Sequence, residues 1–267
     1  MAKVSISLAW DESRAVLARD GKLIASVALA LLVLPGVVVN VLFPRSSSIE
    51  LPQGAVWMIA LLVALLITFA GQLSIVRLAM GPHLTVGDAI LHGAKRSLAF
   101  VGAFLIWVDP FVVALSLLYE LVRRNAAQPP MAAALGMLAI ALLGIFLAVR
   151  LILIGPVATA EEVGPVTILR RSWDLTAGNW WRLFGFVLIY AVGALALIWA
   201  VTSVVGVVAR LTIGELGRGS VAGLLFILVA QILTAAIYAV LFVMQARIYT
   251  QLMRGGKAQA SVPSSGT

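Results

Sequence analysis

A single carboxylate in the middle of an apolar run is the first candidate for chemistry in this sequence. Asp109 precedes Pro110 near the centre of the apolar stretch at about 98–122. A charged carboxylate that faces lipid at this depth costs at least about 2.5 kcal/mol. We therefore expect Asp109 to face a bundle interior, to stay protonated or to pair with Arg150. The residue predicts either a polar site for a proton or a ligand headgroup, or a structural role beside the carbonyl that Pro110 frees.

Three arginines near the ends of apolar runs form a second candidate site. Arg77, Arg150 and Arg247 each occur late in a run that returns across the membrane. Their guanidinium groups could form a basic ring for a phosphate or a lipid headgroup, because the Arg fork matches phosphate oxygens. The alternative is three side chains that extend separately to the membrane interface. Three glutamines could line the same cavity or join helices by hydrogen bonds: Gln72, Gln231 and Gln245.

The chain lacks the residue patterns of the common hydrolases and metal enzymes. It contains no G-x-S-x-G, H-E-x-x-H or P-loop motif and no cysteine. His83 and His92 are nine residues apart, which does not place two metal ligands on one helix face. An intramembrane aspartyl protease would need a second aspartate beside Asp109. We predict a protein without catalytic residues, metal or cofactor, and therefore not an enzyme.

Six apolar runs must position these residues. Hydrophobic residues make up 62% of the 267-residue chain and charged residues only 11%, which is too little charge for a soluble domain. Each run approaches or exceeds the roughly 20 residues that cross a hydrocarbon core of about 30 Å. The predicted membrane-spanning helices lie at about 23–43, 55–79, 98–122, 131–154, 183–208 and 221–246.

A short amphipathic helix is predicted before every second span. The three helices lie at about 4–20, 85–96 and 164–178. Thr85 is a candidate N-cap, with Asp88 three residues later. Gly164-Pro165 is a helix start and Gly178 a helix end. The chain is thus predicted to be an all-α polytopic membrane protein, with six transmembrane helices as three hairpin repeats, each preceded by a cytoplasmic amphipathic helix.

Aromatic residues mark the point where the third amphipathic helix meets the fifth span. Trp173, Trp180 and Trp181 precede or adjoin Arg182. Indole rings prefer the level of the lipid headgroups, and Arg prefers the aqueous side. We therefore interpret these four residues as interface anchors.

The distribution of basic residues predicts the orientation. Five of the 19 Lys and Arg residues fall on one side, namely Arg45, Arg123, Arg124, Arg210 and Arg218. The other fourteen lie on the opposite side, which the positive-inside rule makes cytoplasmic: Lys3, Arg14, Arg19, Lys22, Arg77, Lys95, Arg96, Arg150, Arg170, Arg171, Arg182, Arg247, Arg254 and Lys257. Both termini should therefore be cytoplasmic. Predicted boundaries are 1–22 for an N-terminal amphipathic helix, 23–251 for the six-span membrane domain and 252–267 for a disordered tail.

The segment from Arg170 to Gly185, with the sequence RRSWDLTAGNWWRLFG, resembles the signature of one bacterial family. That family comprises the membrane domain fused ahead of some glycerophosphodiester phosphodiesterases and the free-standing YciC-like inner-membrane proteins. The specific motif covers about 165–186. The resemblance implies a multi-pass protein of the bacterial inner (plasma) membrane. It does not imply phosphodiesterase activity, which belongs to a separate soluble domain that we expect to be absent, since only a short segment follows the sixth span.

Two functions follow as hypotheses. The first is a non-catalytic integral membrane module that associates with lipids, including anionic headgroups, or with a membrane-protein partner. The second is a small transporter or lipid-handling protein with a polar intramembrane site around Asp109 and Arg150. The net charge of +8 and the pI near 10.6 do not indicate nucleic acid, because the basic residues lie at the ends of apolar runs.

Overall fold

Helices make up all the regular structure in the described part of the chain. The structure is a computed structural model, and it describes residues 4–42, 55–81, 84–124, 131–212 and 220–260. Six helical stretches are long and apolar enough to cross a membrane, which confirms the all-α class and the predicted number of spans. The α-helices are α1 Ile6–Ala28, α2 Leu34–Leu42, α3 Ala55–Met80, α4 Val86–Arg124, α5 Met131–Arg150, α6 Ile154–Ala160, α7 Pro165–Thr176, α8 Trp180–Thr212 and α9 Val221–Ala260.

The first span and the residues before it form one continuous helical run. Ser5 caps α1, and its side chain accepts a hydrogen bond from the backbone N–H of Leu8 at 3.4 Å. The run then continues through the π-helical turn Leu29–Val33 into α2. The structure therefore does not confirm a separate amphipathic helix at 4–20, because nothing between the two segments breaks the helix.

The π-helical turn lies just before a proline. The backbone N–H of Leu34 donates to the carbonyl of Leu29, five residues back. Pro35 has no N–H, and its ring crowds the preceding turn of a regular α-helix. A single wider turn accommodates the proline without ending the helix.

The second predicted amphipathic helix is likewise the beginning of a longer one. Thr85 Oγ1 accepts from the backbone N–H of Asp88 at 3.1 Å and donates to the Asp88 carboxylate at 2.6 Å, so the predicted cap is confirmed. The helix then runs without interruption to Arg124, past Pro110. Residues 85–96 are therefore not a separate helix.

Only the third amphipathic segment stands as a helix of its own. Helix α7 begins with Gly164 as N-cap and Pro165 at its first position, as predicted. Gly178 has a φ of 78°, a left-handed conformation that glycine adopts readily, and it separates α7 from α8. Helix α5 ends at Arg150, before the predicted 154, and the short helix α6 follows with Ile154 to Thr159 all buried.

The last helix is longer than the sequence pattern predicts. Helix α9 extends to Ala260, so the prediction of a disordered tail beginning at 252 is wrong for residues 252–260. Residues 261–267, which complete that predicted tail, lie outside the described part of the chain.

The helices pack most closely at one end of the bundle. Helix α3 packs most extensively on α4, and α1 makes its largest contact with α9. The buried side chains concentrate where α6 and α7 meet these helices, and include Leu73, Phe100, Leu153, Ile168 and Ile248. Between 6% and 39% of the apolar window of each span is buried. Most of the apolar surface of the spans is therefore left to face lipid or another protein.

Candidate functional site

A layer of hydrogen bonds ties the segments at this end of the bundle together. We call it the polar layer. It is formed by the beginnings of α1, α4 and α8, the connection between α6 and α7, and the last turns of α9. The residues that carry it are Val4, His92, Arg96, Glu161, Asn179, Arg182 and Tyr249.

Arg96 holds the connection between α6 and α7 against α4. Its guanidinium donates to the backbone carbonyls of Ala158 at 2.9 Å, Glu161 at 2.8 Å and Val163 at 2.8 Å. One turn earlier, His92 Nε2 donates to the carbonyl of Thr159 at 2.9 Å. These two side chains bond the carbonyls of Ala158 and Thr159 in the last turn of α6, which lack helical partners, and those of Glu161 and Val163 in the connection that follows.

Glu161 links the same connection to α7 and α9. Its Oε1 accepts from Arg171 Nε at 3.1 Å and from the Tyr249 hydroxyl at 3.0 Å. The carboxylate therefore joins three segments of the chain.

Asn179 and Arg182 hold the beginning of the chain. The buried Asn179 side chain accepts from the backbone N–H of Val4 at 3.1 Å, and Arg182 donates to the carbonyl of Val4 at 3.1 Å. Arg254 at the end of α9 lies 3.7 Å from the Glu12 carboxylate. The first and last described segments therefore lie at the same end of the bundle.

Arg150 lies among aromatic rings at the junction of α5 and α7. Its guanidinium carbon is 4.8 Å from the Trp173 ring centroid and 5.7 Å from that of Phe146, within the range of cation–π attraction. Its Nε and one terminal nitrogen are buried without a hydrogen-bond partner in the described chain. Its carbonyl accepts from Ser172 at 3.1 Å and Thr176 at 3.0 Å, which fixes α7 on α5.

The three tryptophans among the predicted interface anchors form one aromatic cluster with these residues, whereas Arg182, the fourth, bonds to Val4. Trp180 stacks on Phe184 with centroids 5.1 Å apart, and its Nε1 donates to the carbonyl of Phe146 at 3.4 Å. Trp181 contacts Trp180 edge-on and is 77% exposed, and Trp173 is also exposed. The rings therefore form an apolar surface beside Arg150 at one level of the bundle.

The other two predicted arginines lie elsewhere. Arg247 donates to the carbonyl of Ala79 at the end of α3, the same end that carries Arg77. Arg77 makes no side-chain hydrogen bond or ion pair within the described residues. Arg247 and Arg77 thus belong to the end of α3, whereas Arg150 belongs to the aromatic cluster. None of the contacts described above joins the three into a ring.

Asp109 is exposed on α4. In the described part of the chain it has no hydrogen bond or ion pair, with Arg150 or any other residue. The expectation of an inward-facing carboxylate is therefore not met in the isolated chain. The nearby Trp107 and Phe111 point toward α5 and line a cleft there. Residues two positions apart on a helix point roughly 200° apart, so Asp109 points away from Trp107 and from that cleft.

Two larger clefts flank α9 at the depth of the spans. One, of about 440 Å³, lies between the end of α5, α8 and α9, and Gln245 lines it. The other, of about 470 Å³, lies between α2, α3, α4 and α9, and Gln72 and Gln231 line it. The three glutamines are thus divided between two cavities. Neither cleft is lined by Asp109, Arg77, Arg150 or Arg247.

The described residues contain no group of three His, Asp or Glu side chains that could hold a metal ion. His92 is used in the hydrogen bond to Thr159. His83, the other histidine of the sequence, lies outside the described residues.

Fold and site together define the class: a multi-pass helical membrane protein with a hydrogen-bonded layer at one end. Comparison with family models, curated proteins and solved structures finds no significant match to this chain. The likeness of residues 170–185 to the membrane-domain family therefore stays a prediction.

Proposed function

We propose that this chain is a non-catalytic integral protein of the bacterial inner membrane that associates with anionic lipid. The proposal includes membership of the membrane-domain family that residues 170–185 resemble. It also includes an orientation with both termini and the polar layer on the cytoplasmic side. In that orientation the majority of the basic residues face the leaflet surface that carries anionic lipid.

The observation that carries the proposal is the surrounding of Arg150. Two of its guanidinium nitrogens are buried without partners, and Trp173 and Trp181 present exposed rings beside it. A guanidinium that lacks an anion is costly where water is scarce. A lipid phosphate would supply the anion through the third guanidinium nitrogen, which is not among the buried atoms, and the Trp rings prefer the depth at which such phosphates lie.

The polar layer supports a non-catalytic role. Arg96, His92, Glu161 and Asn179 donate to or accept from atoms of the chain itself. These bonds position helices α1, α4, α7 and α9 relative to one another. We therefore assign the layer to holding the bundle, and we assign lipid contact to the aromatic cluster outside it.

Native mass spectrometry of the full chain tests the proposal. The protein is equilibrated with equal amounts of phosphatidylglycerol and phosphatidylethanolamine, and the lipid that stays bound is identified. We expect wild type to retain phosphatidylglycerol. Arg150→Gln should lower its affinity by at least about tenfold, as expected for the loss of a charge-assisted contact.

Arg210→Gln is the matched control, because Arg210 lies in the last turn of α8 at the opposite end of the bundle. It should leave phosphatidylglycerol retention unchanged. Equal retention of both lipids, or unchanged retention in Arg150→Gln, would refute the headgroup site. A protein partner that stays bound in place of lipid would favour the partner-binding form of the module.

A further inference from the structure

We infer that two copies of this chain associate in the membrane through the lipid-facing surface of α4, with their Asp109 side chains opposite one another. We call this surface the α4 face, and its residues are Leu105, Asp109, Val112 and Ser116. The inference concerns a second copy of the chain, and it does not rest on the lipid site proposed at Arg150.

Asp109 lies in the middle of its span without a partner. It is exposed on α4 and has no hydrogen bond or ion pair within the described residues. A helix rises about 1.5 Å per residue, so Asp109 lies roughly 20 Å along α4 from Arg96 and from Arg124. A lipid-facing surface at this depth offers no water, and an unpaired carboxyl there is unfavourable. Contact with a polar group of another helix removes this deficit.

The other residues of the α4 face are exposed as well. Leu105 lies four residues before Asp109, and Val112 and Ser116 lie three and seven residues after it. This is the spacing of residues along the seam between two nearly parallel helices. Leu105 and Val112 are 49% and 52% exposed. The Ser116 hydroxyl is exposed too, and it donates to the carbonyl of Val112 at 2.7 Å, so the seam can close without leaving this donor unpaired.

The α4 face has a defined extent. Toward the beginning of α4, a Cβ on Gly102 would lie 2.9 Å from the Pro165 side chain, so the start of α7 lies against α4 at this level. Toward the end of α4, the Glu120 carboxylate bonds to Arg123 and Arg124 of its own helix. The face between these two levels is about four helical turns long, and Asp109 is its unpaired polar residue.

The orientation of the chain in the membrane makes this contact self-complementary. Two copies of one chain insert with the same orientation, so a twofold axis between them is parallel to the membrane normal, and their α4 helices are parallel. Residues beside the axis then meet the same residues of the other copy. A neutral carboxyl both donates and accepts hydrogen bonds. Asp109 of one copy can therefore pair with Asp109 of the other.

A second copy offers a carboxyl and not a cation at this depth. Among the described spans, α3, α5 and α8 carry a basic residue in the last turn. Pro110 adds an acceptor beside Asp109, because it lacks the N–H that would bond to the carbonyl of Ile106. Hydrocarbon favours the neutral form of a carboxyl, and the neutral form is the one that can donate across the α4 face.

Counting of photobleaching steps in liposomes tests this inference. The purified full chain carries one fluorophore at its C-terminus and is reconstituted in phosphatidylcholine vesicles at a series of protein-to-lipid ratios. We expect wild type to pass from monomer to dimer as the ratio rises. Asp109→Leu should raise the dissociation constant about fivefold or more. Asp109→Asn should retain the dimer, because a carboxamide also donates and accepts.

Matched variants locate the contact. Ser203 is exposed within the span formed by α8, and Ser203→Leu should leave dimerisation unchanged. Because the sequence contains no cysteine, single cysteines can be cross-linked with copper phenanthroline and air as the oxidant. Ser116→Cys should form a disulfide between two copies. Leu117→Cys should not, since Leu117 is 68% exposed but points about 100° away from Ser116 on the helix.

A wild-type chain that stays monomeric at every protein-to-lipid ratio would overturn the inference, and so would wild-type association in Asp109→Leu. Equal cross-linking of the two cysteine variants would do the same, because the contact would then not follow the α4 face. Asp109→Leu should keep the phosphatidylglycerol retention that depends on Arg150. Loss of one property with the other intact therefore shows which of the two proposals fails.

Discussion

Replacement of Arg96 by Met should loosen the connection between α6 and α7 while the spans remain folded. The change keeps the aliphatic stem of the side chain and removes all three donors to the carbonyls of Ala158, Glu161 and Val163. A hydrogen bond to a charged group contributes about 1.5–3 kcal/mol. Water can replace part of these bonds because Arg96 is only half-buried. Three such bonds would sum to about 4.5–9 kcal/mol, and replacement by water lowers the expected local cost to about 3 kcal/mol.

Amide hydrogen exchange over residues 154–164 measures this cost directly. A local opening that is about 3 kcal/mol easier should speed exchange there roughly a hundredfold, with little change inside the spans. Lys95→Met is the matched control. Lys95 is the exposed neighbour of Arg96 and has no side-chain bond within the described chain. Its replacement should therefore change the local stability by no more than about 0.5 kcal/mol.

The exchange rate over residues 154–164 in Arg96→Lys should lie between the rates in Arg96→Met and Lys95→Met. An ammonium group keeps the charge, but it lacks the planar fork that spans three carbonyls. Wild-type exchange in Arg96→Met would refute the reasoning. So would an equal effect of Lys95→Met, because the effect would then follow net charge and not the hydrogen bonds.

Two further changes test the packing and the polar layer. Gly93→Ala should lower the thermal unfolding midpoint in detergent, because the added methyl would lie 2.5 Å from the carbonyl oxygen of Ala70, and overpacking of about 1–3 kcal/mol outweighs the gain in helix propensity. Asn179→Ala should raise hydrogen exchange over residues 4–12 by at least about tenfold, because it leaves the buried N–H of Val4 without its acceptor.

Each change has its own control. Gly193→Ala places the same methyl in open space, so it should keep or raise the unfolding midpoint, and an equal fall in both variants would speak against close packing at Gly93. Asn179→Asp retains an acceptor oxygen at the same position. If Asn179→Asp raises hydrogen exchange over residues 4–12 as much as Asn179→Ala does, the hydrogen bond to Val4 is not what holds this segment.

The spans were predictable because their signal is local. A run of about 20 apolar residues needs no knowledge of its neighbours to be recognised, and Thr85 with Asp88 caps its own helix. The separate surface helices were less predictable, since an amphipathic segment can continue directly into the following span as one unbroken helix. Gly178 was the deciding signal in the third case, and the first two junctions lack a comparable residue in a left-handed conformation.

The bonding of Arg96 and Asn179 could not be read from the sequence. In the sequence, Arg96 is simply a basic residue near the end of a span. Its role becomes clear only when α6 is seen to pack beside α4. Asn179 bonds to a residue 175 positions away. The same limit applies to Asp109, whose exposure depends on which face of α4 packs on α5. Gln245 lines a cavity, but that cavity contains none of the three arginines with which it was predicted and is separate from that of Gln72 and Gln231.

The hydrogen bonds that join Val4 to Asn179, and Glu161 to Tyr249, set an order of events during synthesis. At about 5–20 residues per second, a ribosome needs about 9–35 s to make the 175 residues that separate the first pair. During that time α1 lies in the membrane with its first residues unpaired. Glu161 likewise lacks its Tyr249 partner until the last turns of α9 have been synthesised. The polar layer therefore closes last, and the native bundle is complete only when the final helix is in place.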